Sequence, residues 1–192
     1  MKKIALIGGP CSGKTVLAQN LNVALKMKGL ESRFVEEYPT DYIMACGKPE
    51  NFMEQALIFY GQIEKEKRYE KLNPDYLVLD YAAFAALVYF ELMTRNAVLS
   101  EEERKKYFNC HDLLVARARE HAKTYEYIFL ADPRDIVFKK DSVRFQASKD
   151  EALMIHSMIE QWMVKNHVPY HPVSGSLDQR TELILRVLNP NN

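Results

Sequence analysis

Close to the start of the chain, four residues separate Gly8 from Gly13, and Lys14 and Thr15 follow directly, in the run Gly8-Gly9-Pro10-Cys11-Ser12-Gly13-Lys14-Thr15. That spacing is the phosphate-loop pattern G-x-x-x-x-G-K-[ST]. Glycines let the backbone turn tightly enough for successive N–H groups to point inward at phosphate oxygens. Lys14 supplies a compact cation for β- and γ-phosphates, and Thr15 a hydroxyl for Mg²⁺. A helix starting near Gly13 directs its positive end at the same anion. The chemistry expected here is binding of ATP with Mg²⁺.

Carboxylates come next. Glu36 and Glu37 adjoin in "VEEYPTDY", residues 35–42, and strand alternation turns only one of them inward; the sequence leaves open which. Asp80 ends the apolar run "DYLVLD". It suits a metal-associated aspartate, a holder of a metal-bound water, an acceptor for the proton of an attacking hydroxyl, or the N-cap of a following helix. Gln55 and Gln62 stand seven apart, on one helix face, where a carboxamide can pair with a base edge. Tyr38 and Tyr81 offer aromatic surface for the same acceptor. Residues 132–149 concentrate Arg134, Lys139, Lys140, Arg144 and Lys149, the composition of a cationic lid closing over transferring phosphates.

These groups need a scaffold that gathers them. Apolar runs predict strands at Lys3–Gly8, Arg33–Glu37, Tyr76–Asp80, Tyr127–Ala131 and Tyr170–Ser174. Helical spacing links Phe52, Ala56, Phe59 and Ile63, and again Ile155, Ile159 and Trp162. Ser100 with Glu103, Ser148 with Glu151 and Ser176 with Gln179 have the form of capping boxes opening three helices. Strand alternating with helix implies an α/β fold, a mostly parallel sheet covered on both faces. Ligands then sit beyond the carboxyl ends of the strands, where Glu36, Glu37 and Asp80 fall.

Composition narrows the function classes. The chain has 192 residues, which suits one domain spanning 1–192. Its 26 basic residues balance 26 acidic ones, so bulk charge drives no general attraction to nucleic acid or anionic membrane. The apolar stretch from Ala82 to Phe90 is too short to span a bilayer, and no membrane partner is expected. Cys11, Cys46 and Cys110 form no metal-ligand pattern and fit a reducing cytoplasm. Tyr81, rather than the glutamate of hydrolytic motors, follows Asp80, and no Asn-Lys-x-Asp guanine-reading stretch occurs. Transfer to an acceptor is favoured over a motor or a switch, with a regulatory ATPase kept as an alternative.

Taken together, "GGPCSGKT", "VEEY", Asp80, "DPRDIVFKKDSVR" and the closing "VSGSLDQR" resemble the ribosylnicotinamide kinase-like P-loop proteins, which include bacterial NAD-salvage kinases and phage-encoded relatives. The resemblance covers nearly the whole chain. It implies a five-stranded parallel sheet of nucleoside/nucleotide-kinase type with a mobile lid at about 132–149, and γ-phosphate transfer from ATP to a hydroxyl of a nucleoside-like acceptor. It assigns the phosphate and metal site to Gly8–Thr15, the acceptor to Glu36 or Glu37 with Asp80, and the lid to Arg134 and Arg144. Ser174, Gly175 and Ser176, with Arg180 nearby, fall on the adenine side. Phage relatives add a competing acceptor, a hydroxymethylated pyrimidine base in DNA. A homodimer is a further expectation. The chain departs from its relatives at Ser142, where Asp-Gly is common, and at Tyr81 after Asp80.

Overall fold

The computed structural model describes residues 1–95, 97–134 and 148–188. Twelve elements alternate along them: β1 (Lys2–Ile7), α1 (Lys14–Met27), β2 (Ser32–Val35), α2 (Tyr38–Cys46), α3 (Phe52–Glu70), β3 (Tyr76–Leu79), α4 (Ala85–Arg95), α5 (Glu101–Ala122), β4 (Tyr127–Ala131), α6 (Lys149–Lys165), β5 (His171–Val173) and α7 (Leu177–Leu188). All five strands run parallel in the order β2-β3-β1-β4-β5. The sheet reverses its winding at β1, which carries the phosphate loop at its carboxyl end, the position where such sheets form a crevice.

Pleating sorts the strand side chains into two cores. Ile4 and Leu6 of β1, Val78 of β3 and Phe129 of β4 pack with α1 and α7. Their neighbours Ala5, Ile7, Leu77, Leu79, Ile128 and Leu130 face α3, α4 and α6. Burial on both faces explains why β3 reads as an unbroken apolar run rather than an alternating one. Each fully buried aliphatic side chain stabilises the fold by roughly 1.5–3 kcal/mol, so the two layers fix where the strand ends lie.

Local signals set the helix starts. Ser100 accepts from Glu103 N–H while the Glu103 carboxylate accepts from Ser100 N–H, a complete capping box. Ser176 and Gln179 make the same reciprocal pair, and the Ser148 hydroxyl accepts from Glu151 N–H. Helix α2 was not legible as periodic sequence. It begins at Tyr38-Pro39 with Glu37 as an extended N-cap, so "VEEYPTDY" is the end of β2 at Val35 followed directly by a helix start. Asp80 caps no helix: residues 81–84 intervene before α4 opens at Ala85, which removes that reading of it. Among the described residues no helix is long and apolar enough to cross a membrane.

Candidate active site

The phosphate loop spans the gap from β1 to α1. Gly13, in the left-handed conformation, precedes a first helical turn that contains no acidic residue, which leaves the helix amino end electropositive. Lys14 reaches back across the loop, its Nζ donating to Gly9 O at 3.2 Å. Thr15 is half-buried in the same turn, and Ser12 is buried beneath it. Helix α6 presses on the loop from one side. A Cβ on Gly9 would stand 2.4 Å from Ala152 O and 2.9 Å from the His156 Cβ, so only glycine fits there. The Gly9 amide donates to His156 Nδ1 at 3.4 Å. Burial holds the imidazole pKa below its usual value, with Arg134 and Lys14 reinforcing the shift and Asp132 and Glu160 opposing it. A neutral ring is what that hydrogen bond requires.

Arg180 supports the loop from below. It is 2% exposed, and Nε, Nη1 and Nη2 donate to Gly175 O, Ser12 O and Asp132 O at 2.8, 2.9 and 2.8 Å. A buried guanidinium without such partners would cost several kcal/mol. Arg180 therefore belongs to the scaffold that shapes the loop, a correction to its expected place among nucleotide contacts. Ser174, Gly175 and Ser176 form the turn between β5 and α7 at the same end of the sheet, with both serines exposed and the glycine half-buried. Arg134 lies folded against Asp132, whose two carboxylate oxygens accept from its side chain and backbone. Those bonds draw the Asp132 pKa down to about 2 against the opposing effect of burial. Lys139, Lys140 and Arg144 of the expected lid lie outside the described residues.

A cleft opens directly from the loop onto the strand ends. Gly8, Pro10 and Lys14 of the loop line it together with Glu37, Gln55 and Tyr81. This resolves the carboxylate pair: Glu37 faces the cleft, accepting from the Thr40 hydroxyl at 2.7 Å, and Glu36 is exposed to solvent. Asp80 is 2% exposed, and its N–H donates to Val35 O. With Leu79 opposite Ala5 in the sheet, Asp80 stands beside the part of β1 that runs into the loop. The Tyr81 hydroxyl is buried and has no hydrogen-bond partner among the described residues. Burial, then Tyr89 and Glu37, push its pKa well up, so it stays a neutral donor. Gln55 is buried at the cleft, its Nε2 meeting the Met93 sulfur at 3.6 Å.

Two expected acceptor residues lie elsewhere. Gln62 is wholly buried, with Oε1 accepting from Tyr38 N–H and Nε2 donating to Glu66, so its amide is committed internally. The Tyr38 ring turns onto α3, where a Cβ on Gly61 would meet it at 2.0 Å. The seven-residue spacing was correct for Gln55 and Gln62, yet the α3 face they share passes from the cleft into the core.

A model of the AAA domain family matches residues 3–180. The chain belongs to that family. Among solved structures, this AAA-domain chain is similar to the deoxyadenosine kinase of M. mycoides with products dCMP and a flexible dCDP bound, with a TM-score of 0.66 and 13% identity over 98% of this chain and 99% of that one. The same kinase with dATP bound gives a TM-score of 0.63 at 13% identity, over 98% and 100% of the two chains. NadR in complex with NR gives 0.68 at 16% identity over 98% of this chain, which spans 50% of the NadR chain. No curated protein sequence matches. The five-stranded sheet flanked by helices is thus the P-loop fold of nucleoside kinases, as the sequence implied.

Sequence reasoning missed His156, Thr40 and Tyr89. His156 gave no signal because a lone histidine on an amphipathic helix ordinarily marks nothing, and its partner is 147 residues away. Thr40 and Tyr89 sit on helices whose faces only the packed structure assigns.

Proposed function

We propose that the protein is a kinase moving the γ-phosphoryl group of ATP to a hydroxyl of a free nucleoside-type acceptor. One observation carries this reading: the phosphate-loop lysine and the Glu37 carboxylate line a single cleft, with Gln55 and Tyr81 beside the carboxylate. Lys14 and the α1 amino end hold the β- and γ-phosphates. The acceptor oxygen attacks the γ-phosphorus as its proton passes to Glu37; the bond to the β–γ bridging oxygen breaks, and ADP leaves. Thr15 and Asp80 are the oxygen donors suited to Mg²⁺, a hard cation commonly held by one or two protein ligands together with substrate phosphates. When bound, the ion neutralises charge on the phosphates. The Gln55 amide and the Tyr81 phenol supply donors and an acceptor for a base edge, in a cleft also lined by the apolar side chains of Ile58 and Ile159.

A nucleoside is favoured over a base within duplex DNA because these groups are buried and the chain carries no net charge. The test supplies γ-labelled ATP with deoxyadenosine, deoxycytidine, nicotinamide riboside or hydroxymethyluracil-containing DNA. Label is expected on one of the free nucleosides, and it should disappear in Lys14→Ala. Rapid hydrolysis with no labelled acceptor would favour a regulatory ATPase, and label on DNA alone a DNA-base kinase.

A further inference from the structure

Beneath the cleft lies a buried polar cluster that the proposed reaction does not use. Glu66 of α3, with no exposed surface, stands at its centre. Its Oε2 pairs with Lys3 Nζ and His121 Nε2, both at 2.9 Å. Lys3 also reaches Glu70 at 2.7 Å and the Thr124 hydroxyl at 3.2 Å. Burial alone would raise the Glu66 pKa, but the His121 bond and the Lys3 charge outweigh it and hold the group ionised.

The other oxygen, Oε1, connects two separate arms. One arm is Gln62, whose Nε2 donates to Oε1 at 3.3 Å while its own Oε1 accepts from Tyr38 N–H at 2.8 Å. The second arm is Tyr125, whose hydroxyl donates to Oε1 at 2.9 Å and accepts from Ala83 N–H at 3.0 Å. Tyr38 directly follows Glu37, and Ala83 lies three residues after Asp80. A single carboxylate oxygen therefore joins the backbone of both strand-end segments that carry the acceptor-side carboxylates.

We infer that Glu66 is a positioning residue: through Gln62 and Tyr125 it fixes the segments bearing Glu37 and Asp80 relative to one another, and so sets the acceptor geometry without touching the acceptor. The role in acceptor geometry rests on the proposed kinase reading; the coupling between the two backbone amides does not. An ionised carboxylate suits the task because hydrogen bonds to a charged acceptor are roughly twice as strong as neutral ones, and a buried network has few alternative arrangements.

The coupling is tested by amide hydrogen exchange at Tyr38 and Ala83 in the 192-residue chain, with Leu130 of β4 as the core reference. Gln62→Leu removes the partner of Tyr38 N–H, and Tyr125→Phe removes that of Ala83 N–H. Each substitution should speed exchange at both amides by about 10-fold or more, leaving Leu130 protected. Glu66→Gln should loosen both amides together. Exchange that rises only at the amide losing its own partner would overturn the coupling; so would a uniform loss that includes Leu130, because the cluster would then be ordinary core. If deoxyadenosine is phosphorylated, Glu66→Gln should raise its KM by about 10-fold with the KM for ATP within about twofold, and an equal rise in both would also count against the proposal. A wild-type chain inactive on deoxyadenosine bears on the kinase reading alone, since the exchange result is read independently.

Discussion

Gly9 and His156 meet across the boundary between the phosphate loop and α6: the glycine amide donates to the ring nitrogen, and the helix backbone fills the space a methyl group would need. The loop thus has a wall made by the helix that follows the expected lid. Its conformation depends on residues far from the motif that defines it.

Gly9→Ala tests that wall. The added methyl must displace α6 or the loop, an overpacking strain of about 1–3 kcal/mol. Thermal melting should shift down by a few degrees, and the KM for ATP should rise more than the KM for the acceptor. A variant with unchanged melting and kinetics would mean that α6 yields without consequence.

Acid should loosen the same contact. The native pKa of His156 is depressed below its unfolded value, near 6.5, so the unfolded chain binds more protons as the pH falls. The stabilisation is fully present above about 6.5 and is lost progressively as pH drops toward the native pKa. His156→Asn keeps an acceptor near the Nδ1 position but does not titrate. Between pH 7.5 and 5.5, wild-type melting temperature should fall more steeply than that of His156→Asn. Parallel curves would remove His156 from the acid response.

The two adjacent glutamates should separate cleanly in kinetics. Glu37→Gln removes the proton acceptor at the cleft and should lower kcat by about 10²-fold or more, the usual scale for a general base. Glu36→Gln should stay within about twofold, since that carboxylate faces solvent. Steady-state assays on whichever acceptor takes label decide between them, and equal effects would return the assignment to the pair.

The sheet was legible because buried parallel strands leave apolar runs, and each of the five runs yielded a strand within a residue or two of its expected ends. The phosphate loop was legible because its function requires residue types at fixed spacing. The acceptor side was less so. Helical spacing grouped Gln55 with Gln62, but whether a polar residue on a helix faces a cleft or a buried carboxylate depends on the neighbouring α4 and α5, which periodicity does not reveal. Arg180 was legible as a residue near the site and not as a support, because its partners are backbone carbonyls and any residue supplies those. The choice between Glu36 and Glu37 turned on the start of α2, which Tyr38-Pro39 marked only faintly.

The bond from Arg180 to Ser12 O spans 168 residues of chain. The loop and the side chain that braces its backbone are therefore distant in sequence and adjacent in space. Pairing of β1 with β3 and β4 does not by itself brace the loop; bracing waits on the docking of α7. A nucleotide that binds only the docked form would stabilise it by RT ln(1 + [L]/Kd), so that filling the loop and docking α7 would favour one another.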